Sequence, residues 1–569
     1  MLKALRWLTR LASIALLVAA AWYWLHGPTI APGSFLVLDV SGSFSEARPA
    51  GFIPRLIQPG RTLADLTEAL RKVRYDGRIA GVIVRIGDLK AGWAQAHEIR
   101  GALALVKARG KRVVAELEVE LAPASVETYV ASVADAVYVA PAAAPLLTGL
   151  SAHAVFLGGV WPKIDVGVQV EKIREYKSMG DEISRESMSP AHREMLDSIL
   201  DDIHRQFVGT LASARNLGTA EIDAAIARGI SRPSQLVSAG IANAVRGHEE
   251  ILAELGAATA VATVTEQVFT GVRAASLGIG DGPGIAVVHA TGAVSTGRSR
   301  PGSGGIGSRS IAQALAQAAS DDDVSAIVLR VNSPGGSPAA SDEIWLAVRE
   351  AAKKKPVVAS LGDVAASGGY YLASAADRIV AAPGTLTGSI GVLFFKPDVS
   401  ALLDRAGIHT ETLQRGRYAR LLDLDKSLDG EELELVRTQL ADVYRLFLER
   451  VATGRKKKPE EIDRLGGGRV WTGQQAFERG LVDEIGTLDD AVRAAANAAG
   501  IHDTDKVNLI HYPRGESLAE QLAEAGTGVA ASMQPVALTR IAEALGDAGL
   551  LLTLEPGVQA LADGVPVIE

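Results

Sequence analysis

Tyr129-Val130-Ala131-Ser132-Val133-Ala134-Asp135 and Tyr371-Leu372-Ala373-Ser374-Ala375-Ala376-Asp377 are one short segment written twice, 242 residues apart (371 minus 129). Working outward, Gly81-Val82-Ile83-Val84-Arg85-Ile86 matches Ala326-Ile327-Val328-Leu329-Arg330-Val331 at an offset of 245 (330 minus 85). Further out, Phe35-Leu36-Val37-Leu38-Asp39-Val40-Ser41-Gly42 matches Ile285-Ala286-Val287-Val288-His289-Ala290-Thr291-Gly292 at 250 (292 minus 42). A slowly drifting offset is what small loop deletions leave after a duplication. Within each copy, short apolar runs alternate with helical patterns, which predicts βα units and mainly parallel sheet. Ser189-Pro190 reads as an N-cap with proline in the first turn. The following Met195, Ile199, Ile203, Phe207 and Leu211 form a four-residue apolar stripe, repeated by Leu440, Tyr444, Leu448 and Val451. These stripes are core and carry no chemistry.

At 569 residues the chain exceeds a single core, and 48% hydrophobic with 22% charged residues is the balance of a folded protein. A net charge of −8 without a basic stripe gives no reason to expect nucleic acid, and the absence of cysteine excludes disulfides, thiolate metal sites and a cysteine nucleophile. Lys3, Arg6 and Arg10 precede an uncharged apolar run over residues 11–25, ending in Trp22-Tyr23-Trp24-Leu25. This reads as an uncleaved N-terminal anchor with the basic residues on the cytoplasmic side; a cleaved signal peptide is the competing reading. The expected organisation is a cytoplasmic N-terminus and anchor at 1–26, a first repeat at 33–277, a glycine-rich linker at 278–284 and a second repeat at 285–510. A helical extension of unassigned role is expected at 511–569.

The two copies differ where chemistry is expected. The second holds Gly362-Asp363-Val364-Ala365-Ala366-Ser367-Gly368-Gly369-Tyr370 at a strand-to-helix turn, beside a strand ending in Asn332-Ser333-Pro334-Gly335-Gly336. A serine nucleophile needs a base and oxyanion donors, and small neighbours let a peptide carbonyl approach. Ser367 is the candidate nucleophile; the N–H groups of Gly368 and of the Gly335-Gly336 loop are candidate oxyanion donors. Tight turns alone would also explain these glycines. The first copy has the aligned Ser125, but Val126-Glu127 replaces the glycines. No histidine lies in the 41 residues between Ser367 and His409, and His153 and His289 sit on apolar strand-like runs. Lysine serves as a base when burial disfavours its ammonium form. Lys177, in Tyr176-Lys177-Ser178, aligns with Ala419, so only the first copy carries it.

Ser333-Pro334-Gly335-Gly336, the Ser367 segment, Thr387-Gly388-Ser389-Ile390-Gly391-Val392, Tyr176-Lys177-Ser178 and Arg469-Val470-Trp471-Thr472-Gly473-Gln474-Gln475-Ala476 resemble, in order, the long-form signal peptide peptidase A family. The resemblance implies tandem α/β domains of the Clp protease/crotonase-like fold behind an N-terminal anchor helix. It implies a Ser/Lys endopeptidase acting on cleaved signal peptides, with Ser367 as nucleophile, Lys177 as general base and no metal or organic cofactor. It also implies a homotetramer on the periplasmic side of a bacterial inner membrane. The chain departs from the family pattern in the acidic Asp181-Glu182 after the lysine and in its C-terminal extension. Two alternatives stand beside this reading: a decayed membrane-bound scaffold and a crotonase-like acyl-CoA enzyme. A nucleotide site at Gly302-Ser303-Gly304-Gly305-Ile306-Gly307 is disfavoured, because no acidic residue ends the next strand.

Overall fold

The computed structural model describes residues 28–46, 60–256, 261–299, 305–513, 557–561 and 567–568. The expected anchor and the start of the 302–307 glycine run lie outside them. Among the described residues no helix is long and apolar enough to cross a membrane.

Two parallel sheets form the frame. The first has the strand order Thr263–Thr265, Ser34–Ser43, Ile79–Lys90, Arg112–Leu117, Ala136–Val139, Ala244–Val245, parallel throughout. The second centres on Gly284–Thr291, Val324–Ser333 and Val357–Ala366, again parallel. Val82, Ile83, Val84, Ile327, Val328 and Leu329 are fully buried. Consecutive apolar residues suit strands covered on both faces, as the crossover helices of a parallel sheet require. The long helices Pro190–Arg215 and Gly430–Arg455 each turn their stripe inward. Ser189 caps the first, its Oγ accepting from the His192 N–H at 3.2 Å.

The two copies are locked together by a buried ionic cluster. Arg330, wholly buried, donates from Nε to Glu46 and from Nη1 to Glu98 and Ser360, each at 2.9 Å. Glu98 in turn accepts the Leu488 N–H at 2.9 Å. Asp363, just before the serine, reaches across to the start of helix Trp93–Ala108, accepting from the N–H groups of Ala94 and Gln95 at 3.0 and 2.9 Å. That carboxylate satisfies two orphan donors and faces the positive end of the helix dipole. Burial nevertheless pushes its pKa up to about 6. Helix Pro190–Arg215 crosses to the other side of the junction, where Met195 Sδ accepts from Val470 N–H at 3.2 Å and Asp202 accepts from Thr472.

A third, mixed sheet contains strands from both copies and from the C-terminal extension. Its order is Ile306–Gly307, Val294–Ser295, Gly335–Gly336, Gly557–Leu561, Leu393–Asp398, Gly167–Lys172. The extension was expected to be helical; residues 514–556 lie outside the described residues, and among the described ones Gly557–Leu561 and Val567–Ile568 are strands. Its alanine- and leucine-rich composition favours helix locally, but two unfilled strand edges offer the backbone a complete set of partners, and tertiary context overrides propensity.

Glu98→Ala leaves Arg330 paired with Glu46 but removes its second carboxylate and the acceptor of the Leu488 N–H, and should cost about 1–3 kcal/mol in denaturant unfolding. Lys353→Ala removes only an exposed ion pair with Glu350 and should change stability by less than about 0.5 kcal/mol.

Candidate active site

Ser367 lies between strand Val357–Ala366 and helix Gly368–Ala373 with φ 52 and ψ −117. A non-glycine residue at such angles costs about 1–3 kcal/mol and persists only where surrounding bonds over-determine it. Here the Ser367 N–H donates to Gly388 O and its carbonyl accepts the Tyr371 N–H, both at 2.8 Å. The turn lifts Oγ off the strand toward the third sheet, where it donates to Gly391 O at 3.4 Å.

Lys177 arrives from the other copy. Strand Gly167–Lys172 pairs antiparallel with Leu393–Asp398 over six residues, from Leu393 opposite Lys172 to Asp398 opposite Gly167. Five residues on, the lysine is buried beside the serine, and its Nζ donates to Ser367 Oγ at 2.8 Å. The same Nζ lies 3.0 Å from Ser389 Oγ and 3.3 Å from Ser389 O. Ser389 also has positive φ (48), with its N–H on Arg469 O at 2.8 Å. It appears in the sequence motif without a role; its contact with the amine is a product of folding.

The lysine loop is clamped onto the second copy. Arg174 pairs with Asp463. Arg469 stacks between Tyr176 and Trp471, 4.8 and 4.4 Å from their ring centroids, and grips Glu194 through two bonds of 2.7 and 2.8 Å. Gly468, at φ 87, admits the lysine backbone: a Cβ there would stand 2.5 Å from the Lys177 nitrogen. The acidic residues after the lysine turn away. Asp181 accepts from Lys172 Nζ at 2.7 Å and Glu182 faces His192 at 3.7 Å.

The glycines gather beside the serine. A Cβ on Gly368 would stand 2.6 Å from Ser341 Oγ and 3.1 Å from both Gly335 Cα and Gly336 N. The Gly335 N–H donates to Ser333 Oγ at 3.2 Å. Ser337 N–H donates to Val294 O at 2.8 Å on one side of this short strand. Strand N–H groups alternate in direction, so Gly336 N–H turns to the opposite side, where Ala560 is its pairing partner.

The first copy shows the same position dismantled. Ser125 opens a helix, Ser125–Ala131, in place of a strained turn, and its buried Oγ has no hydrogen-bond partner. Glu127 stands where the second copy has Gly369 and accepts the Leu89 N–H at 2.8 Å. Ala419, the lysine's counterpart, is exposed. His289 pairs with His511 at 2.9 Å. Among the described residues, no cluster of histidine and carboxylate groups fit to hold a metal occurs.

The profile of peptidase family S49 matches residues 106–262 and 349–502, one stretch in each copy. Serine protease SPPA of Arabidopsis thaliana chloroplasts is 34% identical over 545 residues, covering 94% of this chain and 78% of that protein. Protease 4 of Salmonella typhi is 30% identical over 491 residues, covering 84% and 78%. A putative signal peptide peptidase of Enterococcus faecium is 36% identical over 176 residues, 30% of this chain and 50% of that protein. Fold, duplication and relatives define a serine-type peptidase. The chain belongs to peptidase family S49.

Burial pushes the Glu127 carboxyl from 4.5 up to about 7, against the opposing pull of the Leu89 N–H. Its native pKa lies above the unfolded one, so the parent protein loses stability as pH rises through about 7. Glu127→Gln keeps an acceptor for Leu89 and cannot ionise. It should be more stable than the parent at about pH 8 by on the order of 2–3 kcal/mol and converge with it below about pH 4.5. Thermal unfolding at both pH values checks this; a pH-independent margin contradicts it.

Proposed function

We propose that the chain is a membrane-anchored endopeptidase whose Ser367 and Lys177 act as a dyad on cleaved signal peptides. The observation that carries the reading is the 2.8 Å contact of Lys177 Nζ with Ser367 Oγ, both buried, between residues 190 positions apart. Neutral Lys177 takes the Ser367 proton as Oγ attacks the scissile carbonyl. Gly368 N–H and the Gly335–Gly336 loop hold the oxyanion. Lys177 then protonates the leaving amine and later deprotonates the water that releases the acyl-enzyme. Ser389 orients the amine and passes no covalent intermediate. The paired domains are of the Clp protease/crotonase-like type.

The apolar run at 11–25 behind Lys3, Arg6 and Arg10 supports an anchor with both domains on the periplasmic side of a bacterial inner membrane. The pattern of strand donation supports a closed homotetramer. The first copy donates Gly167–Lys172 to the second copy's Leu393–Asp398. The second copy's counterpart of the donor, residues 409–414 (167 and 172 plus 242), forms no strand, and Leu413 is 96% exposed. Offered to the first copy of a neighbour, that segment makes a head-to-tail contact able to close into a ring.

A fluorophosphonate probe should label the detergent-solubilised parent and fail on Ser367→Ala and Lys177→Ala. Labelling of Ser367→Ala at the parent's level would sink the nucleophile; unaltered hydrolysis by Lys177→Ala would sink the base. Ser389→Ala should retain labelling while kcat falls about 10–100-fold. Light scattering should report a tetramer that Leu413→Asp weakens; a monomeric parent would refute the ring.

A further inference from the structure

The C-terminal extension supplies the fourth strand of the mixed sheet, and its position bears on the active site. Gly557–Leu561 runs antiparallel to both of its neighbours. On one side Leu561 pairs with Gly335 and Ala560 with Gly336. On the other, Gln559 pairs with Leu393, Val558 with Phe394 and Gly557 with Phe395. These two edges border the serine: Gly335 and Gly336 abut Gly368, and Leu393 follows two residues after Gly391, whose carbonyl accepts from Ser367 Oγ. Strands in a sheet stand about 4.8 Å apart, so the edges flank a slot one extended chain wide. A peptide reaching Ser367 between them must enter as an added strand, using main-chain hydrogen bonds on both sides. Gly336 N–H turns toward the side on which Ala560 lies. The extension is held a second time beyond the slot, where Val567 and Ile568 pair with His153 and Ala152 of the first copy.

We propose that Gly557–Leu561 is a tethered pseudosubstrate: the chain's own C-terminal strand fills the slot between Gly335–Gly336 and residues 393–395, and an incoming peptide must displace it. The proposal rests on the Ser367 peptidase reading and adds that the resting enzyme is held closed in cis. Because the contact is intramolecular, a modest intrinsic affinity suffices to keep the slot filled. It also specifies how substrate binds, extended and antiparallel to both edges.

The test compares the solubilised full chain, the full chain carrying Ala560→Pro, and a chain ending at residue 556. Proline removes the Ala560 N–H and fixes its φ without touching the dyad. A tail docked nine-tenths of the time raises apparent KM about tenfold, so both variants should show KM lowered by about that factor and faster fluorophosphonate labelling of Ser367. A synthetic Gly-Val-Gln-Ala-Leu peptide added to the shortened chain should inhibit competitively. Equal KM and equal labelling rates in the parent and in Ala560→Pro would overturn the proposal, whatever the shortened chain does. Failure of all three proteins to label at Ser367 would instead defeat the peptidase reading on which it rests.

Discussion

Everything at the active site depends on one antiparallel strand pairing, Gly167–Lys172 against Leu393–Asp398. It is the contact through which one copy lends its lysine to the other. Its register decides the chemistry: a slip of one residue would turn each side chain of the strand to the opposite face and carry Lys177 about 3.4 Å from the serine. The register is held from several directions. Arg469 stacked on Tyr176, the Gly468 approach and the Arg174–Asp463 pair fix the loop itself. Farther away, the Arg330 cluster and the Asp363 cap hold the two copies in one relation. A buried charged cluster contributes little net stability against an apolar core, but it penalises any other docking of the domains severely.

Duplication explains why such an arrangement costs little to maintain. Two copies of one fold can share one serine site between them, and the matching positions of the two copies differ in conformation. Ser125 has returned to an unstrained helical start, while Ser367 keeps the positive φ that aims Oγ outward. Glu127 stands at the position of Gly369 and accepts the Leu89 N–H. Ala419 stands where the first copy has the amine, and it lies exposed. The third sheet draws on both copies and the tail, so neither copy could build it alone.

Much of this was legible in the residues. The repeat offsets, the apolar strand runs and the helix stripes give the two parallel sheets, because periodicity and burial are local properties. The contrast between Ser367-Gly368-Gly369 and Ser125-Val126-Glu127, and between Lys177 and Ala419, singled out the residues now found 2.8 Å apart. Ser389, Gly468 and Arg469 were visible as letters within motifs, yet nothing in their neighbours along the chain announces a contact with the lysine loop. The C-terminal strand was misjudged as helix for the same reason: its partners lie more than 160 residues away.

The sequence by itself determined the duplication, the α/β class and the division of a candidate nucleophile and a candidate base between two copies. These follow from composition, period and alignment of one stretch with another. Only the tertiary structure decided that the amine meets the hydroxyl and that a strand of the C-terminal extension pairs with both Gly335–Gly336 and residues 393–395. Those outcomes depend on strand register and domain docking, which are set by long-range hydrogen bonds and buried charge and leave no periodic trace in the sequence.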